Sequence, residues 1–405
     1  MTTTATARVT GIQASKRVEN VRYAIRDLAV LADEIARQGH KILPLNIGDP
    51  LKFDFATPPH MIAAVEKAMR DGKNGYAPSL GLESALEAIR DEAERKGIRN
   101  VQSVFITAGV SEGVDLCLTA LVDPGDNVLT PAPDYPLYSA VLAKLGAEPN
   151  PYFLDESRNW EPDLEDIKVR INARTKAIVL INPNNPTGNI YSRKLLEQVA
   201  ELARQHNLLI IADEIYDKIT LDEEETISIA SLAPDVPIVT FGGLSKPYLV
   251  PGWRVGWGIA SGDAPAIGPF LEGVHKLLRA RLCINYPQQF AIKPALEGPQ
   301  SHLAEMAAKL RKRRDLTMKW ATLTPRVTLV KPTGAFYAFP KIDIPEDDLT
   351  FVKELLRQKH VLVVNGSGFG QRPGTQHFRI VFLPEEGVLA RAYQAITDFM
   401  AERYN

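Results

Sequence analysis

Phe241-Gly-Gly-Leu-Ser-Lys246-Pro-Tyr-Leu-Val-Pro-Gly-Trp-Arg254-Val-Gly256 is the stretch around which the chain is organised. A strand-like run, Ile238-Val-Thr-Phe241, stops at two glycines. Ser245 and Lys246 follow, and Arg254 comes after the Pro251-Gly252 turn. A lysine in apolar, glycine-bounded surroundings sheds its proton at modest cost, because desolvation disfavours the ammonium. The neutral amine can then form a Schiff base with a carbonyl compound. Ser245 offers a hydroxyl and Arg254 a planar cationic fork, a pair suited to a phosphate. Read by itself, the stretch is equally a surface lysine after a turn, and the segments on either side decide between the two.

Working outward, residues 128 to about 260 alternate strand and helix, the pattern of a mostly parallel sheet covered on both faces. The strands are expected at Asn127–Thr130, Ala177–Ile181, Leu208–Ala212 and Ile238–Phe241. Functional groups on such sheets collect at the carboxyl ends of the strands. Asp134 and Tyr135 follow the first strand, Asn182-Pro-Asn-Asn185-Pro-Thr-Gly188 the second, Asp213-Glu-Ile-Tyr216 the third and Lys246 the fourth. Upstream, Val104-Phe-Ile-Thr107 runs through Ala108-Gly109-Val110 into Ser111, which the reading takes as the cap of a helix. A strand, a glycine turn and a helix N-terminus aim free backbone amides at an anion. Many crossovers share that form without binding anything.

Before these lie a helical stretch over residues 18–40, containing Tyr23 and Arg26, and the turn Gly48-Asp-Pro, where a glycine permits close approach of a ligand. Beyond about residue 300 come a long charged helix (His302 to Trp320), short strands, and a closing helix from Glu386 to Arg403. In His377-Phe-Arg379-Ile-Val-Phe382, alternation places Phe378, Ile380 and Phe382 toward the core and Arg379 opposite them. An arginine on a rigid strand suits bidentate capture of a carboxylate. Gly366-Ser-Gly-Phe-Gly370 misses the dinucleotide-binding spacing and reads as a flexible loop. The expected division is residues 1–50 as an N-terminal segment contributing to a small domain and covering the site, 51–300 as the large domain, and 301–405 as a small α+β domain.

Bulk properties exclude several classes. With 405 residues, 45% hydrophobic and 24% charged, the chain reads as an ordinary globular protein with an ample core. A net charge of −2 without a basic block argues against nucleic acid. Cys117 and Cys283 form no CxxC pair and no HExxH occurs, so no metal site is expected. No apolar run approaches the ~20 residues of a membrane span. The N-terminus lacks the hydrophobic core of a signal peptide and reads as a cytosolic tail.

Taken together, Asn182-Pro-Asn-Asn-Pro-Thr-Gly188, Ala212-Asp-Glu-Ile-Tyr216, Ser245-Lys246, Gly252-Trp-Arg254 and Phe378-Arg379 resemble the class I/II aminotransferases, fold-type I enzymes that use pyridoxal 5′-phosphate. The resemblance spans nearly the whole chain in order. Arg22-Tyr-Ala-Ile-Arg26-Asp, Leu45-Asn-Ile-Gly-Asp-Pro-Leu-Lys-Phe-Asp-Phe55 and Asn365-Gly-Ser-Gly-Phe-Gly370 resemble the alanine aminotransferase branch.

The resemblance implies an α/β fold-type I large domain, with a mixed, mostly parallel sheet between helices, plus a smaller α+β domain. It implies that Lys246 holds the cofactor as a Schiff base and shuttles the proton. Asp213 pairs with the ring nitrogen, and Tyr216 and Asn185 bond the phenolic oxygen. Tyr135 stacks on the ring. Gly109, Val110 (through its amide), Ser111, Ser245 and Arg254 hold the phosphate, with Tyr76 reaching in from the second subunit of a homodimer. Arg379, Gly48 and Asn185 bind the substrate α-carboxylate, and Tyr23 and Arg26 select its far end. Pro247, directly after the lysine, departs from the pattern and removes a backbone donor. The implied activity is a cytoplasmic ping-pong transamination between L-alanine and 2-oxoglutarate. The alternatives are a broader aspartate or aromatic aminotransferase, a carbon–sulfur β-lyase, and a cofactor-binding sensor without turnover, which retention of Lys246 and Asp213 disfavours.

Overall fold

The strands that carry the site lie side by side in one eight-stranded sheet. The computed structural model describes residues 11–19, 21, 24–222 and 226–404, without the side chains of residues 24–27. Across the sheet the order is Val101–Thr107, Gly256–Ser261, Ile238–Gly243, Leu209–Asp213, Thr175–Ile181, Asn127–Ala132, Glu148–Asp155 and Glu161–Pro162. The middle of the sheet is parallel, and Gly256–Ser261 runs antiparallel to both of its neighbours.

Burial on both faces explains the apolar runs. Along Thr175–Ile181, Ile178 and Leu180 enter one core cluster while Ala177, Val179 and Ile181 enter another. Ile210 and Ala212 are divided from Leu209 and Ile211 in the same way. The first face is covered by helix Arg193–Gln205, whose Leu195, Leu196, Val199 and Ala203 point at the sheet. The second is covered by helices Val110–Leu121 and Ala264–Ala280 through Val114, Cys117, Leu118, Val274 and Leu278.

A third apolar cluster joins helix Ala24–Arg37 to the far end of the chain, packing Leu28, Ala32, Ile35 and Leu45 with residues such as Phe351, Leu355, Val361 and Ile396. Leu43–Pro44 pairs in parallel with Val361–Leu362. The Leu45 carbonyl then accepts from the Val381 amide at 2.9 Å, at the end of strand Phe378–Val381. The buried Arg313 of helix Ser301–Leu323 donates through its Nη2 to both carboxylate oxygens of Asp54, at 2.7 and 2.8 Å. Residues 43–55 are thereby bolted to the C-terminal lobe.

Two expectations need correction. The helix after the glycine turn begins at Val110, with Gly109 at the cap position and φ +76°; Ser111 is already inside it. Helices leave their first amides without internal acceptors, so the turn still presents donors. Gly366–Phe369 is an ordered 3₁₀ turn with Phe369 buried, not a flexible loop. Arg379, expected opposite the core face of its strand, is 2% exposed, so that strand is buried on both sides.

Candidate active site

Lys246 lies in the turn after strand Ile238–Gly243, and its amine reaches across to donate to the Gly48 carbonyl at 2.7 Å. Burial pulls the amine down from an ordinary 10.5 to about 8, and the nearby Arg379 and Arg254 push the same way, against Asp49 and Asp213. Pro247 does not keep the side chain out of the cavity. That cavity, about 550 Å³, lies outside the carboxyl ends of the central strands.

Its lining gathers most of the sequence-predicted residues: Gly48, Val110, Ser111, Tyr135, Asn185, Asp213, Tyr216, Ser245, Lys246, Arg254 and Arg379. Gly109 sits immediately beneath Arg254, and a Cβ there would collide with the guanidinium. Tyr76 is 81% exposed and does not line the cavity of its own chain. Tyr23 and the Arg26 side chain lie outside the described residues.

Three functional regions stand out. At one end are the Val110 and Ser111 amides, the Ser111 and Ser245 hydroxyls and the Arg254 guanidinium, an anion-binding set at a helix N-terminus. Arg254 is held at φ +54° and anchored to the carbonyls of Pro251 and Ala108 at 3.1 and 3.3 Å. Gly256 completes this end. A Cβ there would come within 2.6 Å of the Val110 nitrogen, so only glycine lets the antiparallel strand approach the turn.

At the centre is Asp213, its carboxylate held by the Ile215 amide at 3.2 Å and the Tyr138 hydroxyl at 3.1 Å. Burial raises this acid to about 6 despite those two donors. A cation seated against it would draw it back down. Glu214, the next residue, points away and pairs with Lys96 at 2.8 Å.

At the third region, Arg379 donates to the Asn185 side-chain oxygen at 3.0 Å and to the Asn46 carbonyl at 2.5 Å. Its guanidinium lies 4.8 Å from the ring centroids of both Tyr337 and Phe369. A guanidinium only donates, so the Asn185 oxygen must face it, which leaves the Asn185 amide to donate into the cavity.

Sequence reading missed Asn46, Asp49, Tyr138, Tyr337 and Phe369. Tyr138 lies three residues after Tyr135 and looks like a helix-face aromatic. Tyr337 sits in an apolar strand, and only its pairing with Phe378–Val381 brings it beside Arg379. Gly48 has a second duty that sequence could not show: a Cβ there would run into the Tyr337 hydroxyl.

This donor set fits a flat, phosphorylated, cationic aromatic aldehyde: an anion cradle, a buried carboxylate for a ring nitrogen, hydroxyl and amide donors for a phenolic oxygen, and an amine readily made neutral. Among the described residues, no cluster of metal-ligating side chains occurs and no helix is long and apolar enough to cross a membrane.

Residues 40–396 match the family model described as aminotransferase class I and II. The chain is 43% identical over 397 residues to the glutamate-pyruvate aminotransferase AlaA of Haemophilus influenzae, covering 96% of this chain and 98% of that protein. It is 42% identical over 397 residues to the alanine aminotransferase of Mycobacterium tuberculosis, covering 95% and 92%. The solved alanine aminotransferase from Pyrococcus furiosus superposes with a TM-score of 0.93 at 43% identity, covering 96% of this chain and all of that one.

Proposed function

Because the chain belongs to the class I and II aminotransferases, we propose that it moves the amino group of L-alanine to 2-oxoglutarate, giving pyruvate and L-glutamate in two half-reactions. The observation that carries this is the convergence of Lys246, Asp213 and Arg379 on one cavity. The identity with relatives named glutamate-pyruvate aminotransferase and alanine aminotransferase supports the choice of substrate.

The family's cofactor is pyridoxal 5′-phosphate, which when bound supplies an electron sink for the charge left on the substrate α-carbon. Every other task falls to the protein. The Val110 and Ser111 amides, Ser111, Ser245 and Arg254 hold the phosphate, with Gly109 making room for Arg254. Asp213 keeps the proton on the ring nitrogen, and its burial makes that pairing strong once a cation arrives. Tyr216 and the Asn185 amide would donate to the phenolic oxygen, and Tyr135 would cover the ring. Lys246 anchors the cofactor covalently. Once freed, its amine would be the group that moves the proton at the substrate α-carbon. Burial that brings the amine from 10.5 down to about 8 greatly enlarges its neutral, proton-accepting fraction near neutral pH.

Arg379 receives the α-carboxylate, supported by Asn185 and the backbone at Gly48. Arg26 and Tyr23 belong to the proposal as selectors of the substrate's far end. So does a homodimer in which the exposed Tyr76 of each subunit reaches the other's phosphate, and so does the division at residues 50 and 300. Cytoplasmic placement is supported by two free cysteines, one of them buried.

An absorbance scan of the holoenzyme tests the reading. A visible cofactor band should bleach on addition of L-alanine and return with 2-oxoglutarate. Bleaching by aspartate or phenylalanine but not alanine would establish the broader specificity. Steady release of ammonia and pyruvate from a cysteine-type substrate, with no acceptor present, would establish the lyase.

A further inference from the structure

Tyr216 and Arg379 stand in different parts of the chain and serve different partners, yet a single side chain touches both. Tyr337 is buried, and its hydroxyl lies 2.8 Å from the Tyr216 hydroxyl, while the Arg379 guanidinium lies 4.8 Å from its ring centroid. Its ring meets that of Tyr216 edge to face, with centroids 5.5 Å apart. The hydroxyl also occupies the space a Cβ at Gly48 would need, next to the carbonyl that accepts from Lys246. The backbone of Tyr337 pairs with Val381 in the strand that carries Arg379, so side chain and arginine are fixed to one rigid element. Tyr216, by contrast, follows strand Leu209–Asp213 of the large sheet.

We propose that Tyr337 is a positioning residue linking the carboxylate-binding arginine to Tyr216, and through Tyr216 to the phenolic oxygen of the cofactor. Two hydroxyls 2.8 Å apart share one proton between them. When Tyr216 turns its proton toward the phenolic oxygen, Tyr337 must be the donor in the pair. A hydroxyl that accepts a hydrogen bond becomes a better donor in turn, because chained hydrogen bonds polarise one another. Tyr337 therefore strengthens the bond that Tyr216 makes, and its ring keeps Arg379 aimed by a desolvated cation–π contact. A carboxylate arriving on Arg379 is felt at Tyr216 through Tyr337, which also lines the cavity.

The proposal rests on the reading that the cavity holds pyridoxal 5′-phosphate, and the experiment separates the two. The holoenzyme's visible band is titrated with pH, alongside steady-state kinetics. Weakening the donor to the phenolic oxygen lets the proton the cofactor shares with its anchoring nitrogen persist to higher pH. Tyr337→Phe should therefore move the midpoint up by about half to one pH unit. Its KM for L-alanine should stay within about twofold, since the ring remains. In a Tyr216→Phe background the same change should leave the midpoint where Tyr216→Phe put it, because the effect passes through that hydroxyl. Tyr337→Leu should add a rise in KM for L-alanine of about threefold or more. An unmoved midpoint in Tyr337→Phe, or an additive shift in the Tyr216→Phe background, overturns the proposal while leaving the reading intact. Absence of any visible band in the wild-type holoenzyme overturns both.

Discussion

Replacing Lys246 with methionine should make the cofactor-free protein more stable at neutral pH, and by an amount that depends on pH in a defined way. The gap between the ordinary lysine value of 10.5 and about 8 in the fold corresponds to about 3 kcal/mol of disfavoured ammonium. The sign follows from proton counting. The folded value lies below the unfolded one, so between about 8 and 10.5 the unfolded chain holds a proton the folded chain has released. Wild-type stability therefore gains as pH rises through that window. Below it the penalty is present in full. Methionine carries no charge and has no such window.

Urea unfolding of the two apoproteins at several pH values provides the assay. The advantage of Lys246→Met should narrow by about 3 kcal/mol as pH climbs from near 8 to 10.5. The lost hydrogen bond to Gly48 and the altered packing shift the whole curve but not its slope. A stability difference that stays flat across the window would show that the amine is not held out of water, and the account of its reactivity would fall with it.

Other expectations are simpler. Asp213→Asn should retain cofactor but lose kcat by on the order of a hundredfold or more, since the charge holding the ring proton is gone; single-turnover kinetics with L-alanine would check this. Arg379→Leu should raise KM about thirtyfold or more for both amino and oxo acids, because every substrate carries the α-carboxylate; a loss confined to one substrate would argue against that role. Arg26→Ala should impair the glutamate half-reaction more than the alanine half-reaction, and equal losses would remove it from substrate choice.

Much of this site was legible because parallel strands buried on both faces leave uninterrupted apolar runs. The runs at Ala177–Ile181 and Ile238–Phe241 announce themselves, and the polar residues just after them mark the sheet's functional edge. Gly256–Ser261 was not legible as a strand. Two glycines weaken its signature, and its place between Val101–Thr107 and Ile238–Gly243 is a long-range fact. Strand Glu148–Asp155 was hidden by Pro149 and Pro151. Phe369 and Tyr337 escaped notice because what matters is that their rings lie beside Arg379, and sequence shows a side chain's type, not its neighbour. Arg379 itself was read as a strand residue opposite the core face, and alternation alone could not tell a solvent face from a cavity lined by protein.

The pairing of Leu43–Pro44 with Val361–Leu362 has a consequence for how the molecule comes into being. A ribosome delivers Lys246, Asp213 and the glycine turn at Gly109 well before the segment carrying Arg379. Until that last segment emerges, residues 43–45 have no strand to lie against, and Asn46 and Gly48 have nothing to seat them over the amine. A nascent chain thus holds Lys246 before the strand that seats residues 43–48 beside it.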